Sequence, residues 1–315
     1  MLHLRVVLAA FACAVGGTGC TVLAPASPAT FDEPGFRADR IAPARWALVL
    51  SAGAMRAFAH IGALRELEAA GLRPDLIVGT SAGAIVGALS ASGMSGSEMA
   101  TAAKDLELFG VWTLPSIGLL EGSGIHRFVD SKSHVHGIEA FPTRFAAVAV
   151  EAERGCLQIF NSGDAGKAVQ ASSSVPVFLV PPVIGGKRYL DGGLASPLPV
   201  RVARLLGAER VVAIDVTFDP AERTFLNITD AFWRSTLVMQ RALAVVEGME
   251  ADLLISPRLP PERAIAFENR AAISDAGALA VRSALPRLEA LLASSPALRG
   301  AKPAPPQLLC ASDRK

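Results

Sequence analysis

Histidine is scarce in this chain. His3, His60, His126, His134 and His136 are the full set of five in 315 residues, and none follows position 136. Cysteine is scarcer: Cys13, Cys20, Cys156 and Cys310 form no CxxC, and there is no HExxH and no His/Cys cluster. Nothing in this inventory calls for a metal or another cofactor. Charge of neither sign dominates, with 30 Lys and Arg against 29 Asp and Glu and a net charge of +1. That balance gives no ground for a nucleic-acid partner. At 51% hydrophobic and 19% charged residues, the chain can bury a sizeable core and is not disordered.

The N-terminus reads as a processing segment. Met1–Arg5 is short and basic, Val6–Val15 is apolar but too short to span a bilayer comfortably, and Gly16–Cys20 supplies small residues. Residues 1–20 are therefore expected to be an export signal of lipoprotein type, with Cys20 acylated. Gly17 stands where such sites usually have leucine, so cleavage by an ordinary signal peptidase competes with lipidation. Thr21 gives no inner-membrane retention signal. The expectation is an exported protein held to the outer membrane or periplasmic face through its N-terminus. Residues 21–44, with several prolines, read as a tether, 45–295 as one α/β domain, and 296–315 as a frayed tail. Cys156 and Cys310 either pair or remain free thiols.

The spacing of apolar residues predicts buried strands at 46–50, 75–79, 145–150, 157–160, 211–216 and 253–256, and a hairpin over 183–189 with a Gly-Gly turn. Helices are predicted at 58–70 with Gly71 at its C′ position, and at 82–91, 97–108, 166–171, 199–206, 227–248 and 276–292. The alternation at the start implies parallel strands with right-handed crossovers. On helix 227–248, Ile228, Phe232, Met239, Leu243 and Val246 form one apolar face. That face, like the apolar loop 111–120, either packs on the sheet, borders an acyl channel or touches a membrane.

Three motifs carry chemistry. Gly79-Thr80-Ser81-Ala82-Gly83 links a strand to a helix, the setting in which a serine sits on a sharp elbow with its hydroxyl exposed. A serine nucleophile needs a base. The order Ser, then acid, then His fails here because no histidine lies late enough, although His126, His134 and His136 remain available in principle. Asp191-Gly192-Gly193, directly after a strand, offers a carboxylate instead. The loop Ser51-Ala52-Gly53-Ala54-Met55-Arg56-Ala57, between a strand and a helix, lets backbone N–H groups converge as an oxyanion hole. It lacks a Walker lysine and the dinucleotide glycine spacing.

These pieces, in this order, resemble the bacterial patatin-like phospholipases. The likeness covers about residues 46 to 260. It includes Phe58-Ala59-His60-Ile61-Gly62, Ala171-Ser172-Ser173-Ser174-Val175-Pro176, Tyr189-Leu190-Asp191-Gly192-Gly193 and Pro197-Leu198-Pro199-Val200. The resemblance implies a three-layer α/β/α fold around a mostly parallel sheet. It also implies a lipid acyl hydrolase acting on phospholipid or related esters without a cofactor. Ser81 would be the nucleophile, Asp191 the general base, and the amides of Gly53, Ala54 and Met55 the oxyanion hole. The family's first loop usually reads G-G-G-x-R-G, whereas alanine occupies 52, 54 and 57 here. Any of them forced to a left-handed φ would be strained. A catalytically weak or inactive module that binds lipid or a partner is the alternative. Arg56 either steers an anionic headgroup or anchors the loop.

Overall fold

The computed structural model describes residues 30–31, 35–105, 122–217, 228–260 and 267–294. The signal, Cys20, the loop 111–120, Cys310 and the tail 296–315 lie outside these. The strands, in chain order, are β1 (Thr30–Phe31), β2 (Ala47–Leu50), β3 (Leu76–Thr80), β4 (Arg144–Glu151), β5 (Cys156–Phe160), β6 (Val183–Ile184), β7 (Lys187–Asp191), β8 (Val211–Ile214) and β9 (Leu253–Ile255). The α-helices are α1 (Phe58–Ala69), α2 (Ala82–Ala91), α3 (Gly96–Ala102), α4 (Ser123–Lys132), α5 (Ala165–Ser172), α6 (Val200–Leu205), α7 (Ile228–Gly248) and α8 (Arg270–Ala293).

The sheet runs β1-β6-β7-β4-β3-β2-β8-β9, with β5 on the other edge of β4. The block β4-β3-β2-β8-β9 is parallel. Its strands are apolar on both faces, as a sheet covered on both sides requires. Leu48, Leu50, Ile77, Phe145, Val212 and Ile214 pack toward a layer that includes α1, α2, α4, α5 and α8. Their alternates Ala47, Val49, Val78, Val148, Val211 and Ala213 pack toward α6 and the buried Ala244 of α7. The result is the expected three-layer α/β/α arrangement with a mostly parallel sheet.

Several boundaries differ from the pattern-based reading. Helix α8 begins at Arg270, six residues before the predicted start, and carries Pro286 inside it. Helix α3 ends at Ala102 and tightens into a 3-10 turn over Ala103–Asp105. The segment read as a tether is not free along its length: Arg37 N–H donates to the Asn161 side chain, and buried Ala44 bridges Ala208. The Gly185-Gly186 turn does close the hairpin, both residues at positive φ.

The largest difference concerns α7. Its predicted apolar face, tested at Met239, Leu243 and Val246, points outward, with these residues 57%, 37% and 45% exposed. The face turned inward is Thr236, Ala244, Glu247 and Gly248. Small residues let the helix lie close to its neighbours. A β-carbon on Gly248 would stand 3.1 Å from Leu254 and 3.5 Å from Leu198. Of the three readings of this stripe, packing on the sheet is excluded at Met239, Leu243 and Val246.

Candidate active site

Strand β4 explains how residues 110 apart in sequence meet. Its first part, Arg144–Val148, pairs in parallel with β3, and its last part, Ala149–Glu151, pairs antiparallel with β7. Because β5 occupies the opposite edge, β3 and β7 share one edge and meet end to end. Thr80 lies opposite Val148 and Asp191 opposite Ala149. The chain then turns away after both. Gly192 is needed at that junction, since a β-carbon there would sit 2.1 Å from the Val148 carbonyl oxygen.

Ser81 follows β3 at φ 54° and ψ −125°, a conformation L-residues resist. The surroundings hold it there. Its N–H donates to Ser172 Oγ at 2.9 Å, and the Ser172 hydroxyl donates in turn to the Val148 carbonyl at 2.6 Å. Its own carbonyl accepts from Ala84 N–H at 2.8 Å, starting α2. Gly79 and Gly83 allow the tight crossing. A β-carbon on Gly79 would lie 2.5 Å from the Gly83 carbonyl, and one on Gly83 would lie 2.4 Å from that of Leu50. Thr80 Oγ1 donates to the Ser196 carbonyl at 2.8 Å.

The Ser81 hydroxyl donates to Asp191 Oδ2 at 2.6 Å, and Gly193 N–H donates to Asp191 Oδ1 at 2.7 Å. Both side chains are nearly covered, Ser81 9% and Asp191 3% exposed. Burial raises the Asp191 carboxyl to about 6, with the Ser81 hydroxyl and Gly193 amide pulling the other way. At neutral pH it is ionised yet basic enough to take a proton from a hydroxyl it already contacts.

The loop 51–57 closes the site. Ala54–Ala57 form a 3-10 turn whose first bond runs from Arg56 N–H to the Gly53 carbonyl. The amides that begin a helical turn lack partners within it, which leaves Gly53, Ala54 and Met55 as the donors this loop can offer. Ala52 N–H is already used, donating to the Pro197 carbonyl at 2.8 Å. Of the three alanines, only Ala54 takes a positive φ, at 48°. Ala57 is at φ −65°. Arg56 Nε donates to the Val216 carbonyl at 3.0 Å and Val216 N–H to Ser51 Oγ at 2.8 Å, so Arg56 anchors the loop to the end of β8.

Histidine is not what Ser81 contacts. His60 is fully buried, its Nε2 3.0 Å from the Ser51 carbonyl, and burial lowers it to about 4, which keeps it neutral. His134 is half exposed near Glu98. His126 Nε2 lies 2.9 Å from Asp130 and 3.4 Å from Asp164, joining α4 to the residue that caps α5. This is the group among the described residues whose donor atoms converge enough for a metal ion, but Lys167 already faces the same Asp164 oxygen at 3.4 Å.

An apolar pocket has Ala54, from the loop 51–57, and Ala82, next to Ser81 in sequence, in its wall. It continues between α1 and α2 past Phe58, Ile85 and Leu89 to Phe128. Sequence reasoning gave no role to Ser172, which the Ser-Ser-Ser run before Val175-Pro176 could have marked. It also missed Ser196 and Glu247. A glutamate in register with Thr236 and Ala244 on α7 was the available signal for the last.

Residues 48–204, about half of the chain, match the family model described as patatin-like phospholipase. An uncharacterised NTE-family protein of Mycobacterium tuberculosis is 36% identical over 209 residues, covering 64% of this chain and 36% of the relative. Human patatin-like phospholipase domain-containing protein 6 is 33% identical over 181 residues, covering 54% of this chain and 13% of that protein. The chain thus spans about a third of the mycobacterial relative and far less of the human one. The crystal structure of VipD from Legionella pneumophila aligns over 78% of this chain and 67% of that one. Its TM-score is 0.43 at 14% identity, too remote to bear on function. The matched segment 48–204 contains both Ser81 and Asp191 at the junction of β3, β4 and β7, and the chain belongs to the patatin-like phospholipase family.

Proposed function

We propose that this chain hydrolyses acyl esters of lipids, with Ser81 as nucleophile and Asp191 as general base. The observation that carries the reading is the 2.6 Å hydrogen bond from Ser81 Oγ to Asp191 Oδ2 at a strained elbow. In this scheme Ser81 Oγ attacks the ester carbonyl carbon while Asp191 takes its proton. The N–H groups of Gly53, Ala54 and Met55 receive the charge on the carbonyl oxygen. Collapse breaks the bond to the alcohol, which leaves with the proton from Asp191 as a lysolipid or glycerol derivative. Asp191 then deprotonates a water that attacks the acyl-serine, and the fatty acid departs as Ser81 regains its proton.

A lipid surface is the setting this reading calls for. The outward stripe of α7, including Val238, Met239, Leu243, Val245, Val246 and Met249, is exposed and uncharged, on the helix that packs behind the loop following Asp191. Cys156 is disulfide-bonded, which agrees with an oxidising compartment. Export, an N-terminal lipid anchor at Cys20 and a single catalytic domain over 45–295 complete the proposal. Among the described residues no helix is long and apolar enough to cross a membrane.

Release of fatty acid from phosphatidylcholine and phosphatidylglycerol vesicles by the purified protein tests the proposal. Activity that disappears in Ser81→Ala and Asp191→Asn is expected. Vesicle binding without hydrolysis by a folded wild type would instead establish a binding module.

A further inference from the structure

The loop after Asp191 contains a strut. Residues 196–198 are bonded in two directions. Toward the dyad, the Ser196 carbonyl accepts from Thr80 Oγ1 and the Pro197 carbonyl accepts from Ala52 N–H, both at 2.8 Å. Away from it, the Ser196 hydroxyl donates to Glu247 Oε1 and Leu198 N–H donates to Glu247 Oε2 at 3.0 Å. Thr80, Ala52, Ser196, Leu198 and Glu247 are all buried. One carboxyl therefore holds a short segment whose carbonyls grip the residue before the nucleophile and the first amide of the oxyanion loop.

We propose that Glu247 is a positioning residue for catalysis, whose carboxyl clamps residues 196–198 and through them fixes the Ser81 elbow relative to the amides of Gly53 and Ala54. This rests on the reading of Ser81 as nucleophile. A carboxyl is a costly choice for a helix face that could pack with leucine or alanine. Burial pushes it up to about 8 against the pull of the Ser196 and Leu198 bonds and Arg201. Such a cost is characteristic of functional sites. The geometry says where it is recovered: the oxyanion amides and the nucleophile lie on different loops, and the strut is bonded to both.

Glu247→Gln can still hold both partners, its oxygen accepting from Leu198 N–H and its amide donating to Ser196 Oγ, whereas Glu247→Asp is one methylene short of holding both. In a folded Asp variant, reaction of Ser81 with a fluorophosphonate should slow by about 10–100-fold, with kcat for a soluble ester falling and KM within about twofold, while Gln restores the rate to within about threefold of wild type. Amide exchange read by mass spectrometry should quicken in residues 51–57 and 192–198 of the Asp variant and stay unchanged in α8. Unchanged exchange in 51–57, or equal slowing by Gln and Asp, overturns the proposal. Should wild-type Ser81 fail to react, the catalytic reading falls and the exchange pattern alone decides whether the clamp exists.

Discussion

At Ser81 the backbone adopts φ 54°, and the adjoining loop repeats the departure at Ala54 with φ 48°. For Ser81 the strain is what aims the hydroxyl at Asp191. For Ala54 it is a cost that glycine would avoid. Ala54→Gly should stabilise the fold by about 0.5–1 kcal/mol, the left-handed penalty for an L-residue exceeding the extra chain entropy of glycine. Ala52→Gly and Ala57→Gly, at ordinary φ, should destabilise by about 0.5–1 kcal/mol; urea unfolding of the three variants separates them. The sequence alone identified all three alanines as equivalent suspects, because composition shows which residues resist a left-handed φ but not which one must adopt it. With Asp191 as the proposed base, its carboxyl, raised to about 6, should set the acid limb of activity. Turnover should rise through about pH 6 and level off above it. Ser81→Ala should lower it by at least about 10³-fold, and Asp191→Asn by about 10²–10⁴-fold.

Among the elements, β4 does most to build the site, by pairing one edge first with β3 and then with β7. The three strands were each legible from apolar runs, but their shared edge was not, since pairing depends on contacts far apart in sequence. Gly192→Ala tests that junction. With a β-carbon 2.1 Å from the Val148 carbonyl, the variant should lose activity and fall in Tm, whereas Gly155→Ala, in open space but at a φ of 64° that alanine resists, should fall in Tm by the left-handed penalty alone and keep activity. Helix α7 was legible as a helix with an apolar stripe, but its orientation was not. Its inward face is made of Ala244, Gly248 and the buried Glu247, while the larger apolar residues of the stripe face outward. If the outward stripe meets lipid, Val238→Asp with Met239→Asp should weaken hydrolysis of vesicles at least tenfold, a loss of about 1.4 kcal/mol or more, and leave a short soluble ester unaffected. Equal loss on both substrates would contradict that role.

Across the whole molecule, the balance between stability and function falls on the buried acid. The carboxyl of Asp191 lies above its ordinary value of 3.8 because burial disfavours the ion. The folded state therefore binds its proton more tightly than the unfolded one. That contribution to stability is full below about pH 4 and is lost as pH rises through about 6. Asp191→Asn should melt higher than wild type above pH 6, and the gap should close toward pH 4. The three layers, the parallel core and the meeting of Ser81 with Asp191 were all foreshadowed by three short motifs in order. The strut 196–198 and its clamp were not, because main-chain carbonyls leave no mark in a sequence. The most direct test of the account is intact mass after treatment with a fluorophosphonate, for wild type, Ser81→Ala and Asp191→Asn. One adduct is expected on wild type, none on Ser81→Ala and a slowed one on Asp191→Asn. A folded wild type that takes no adduct, or a Ser81→Ala variant that still takes one, would contradict it.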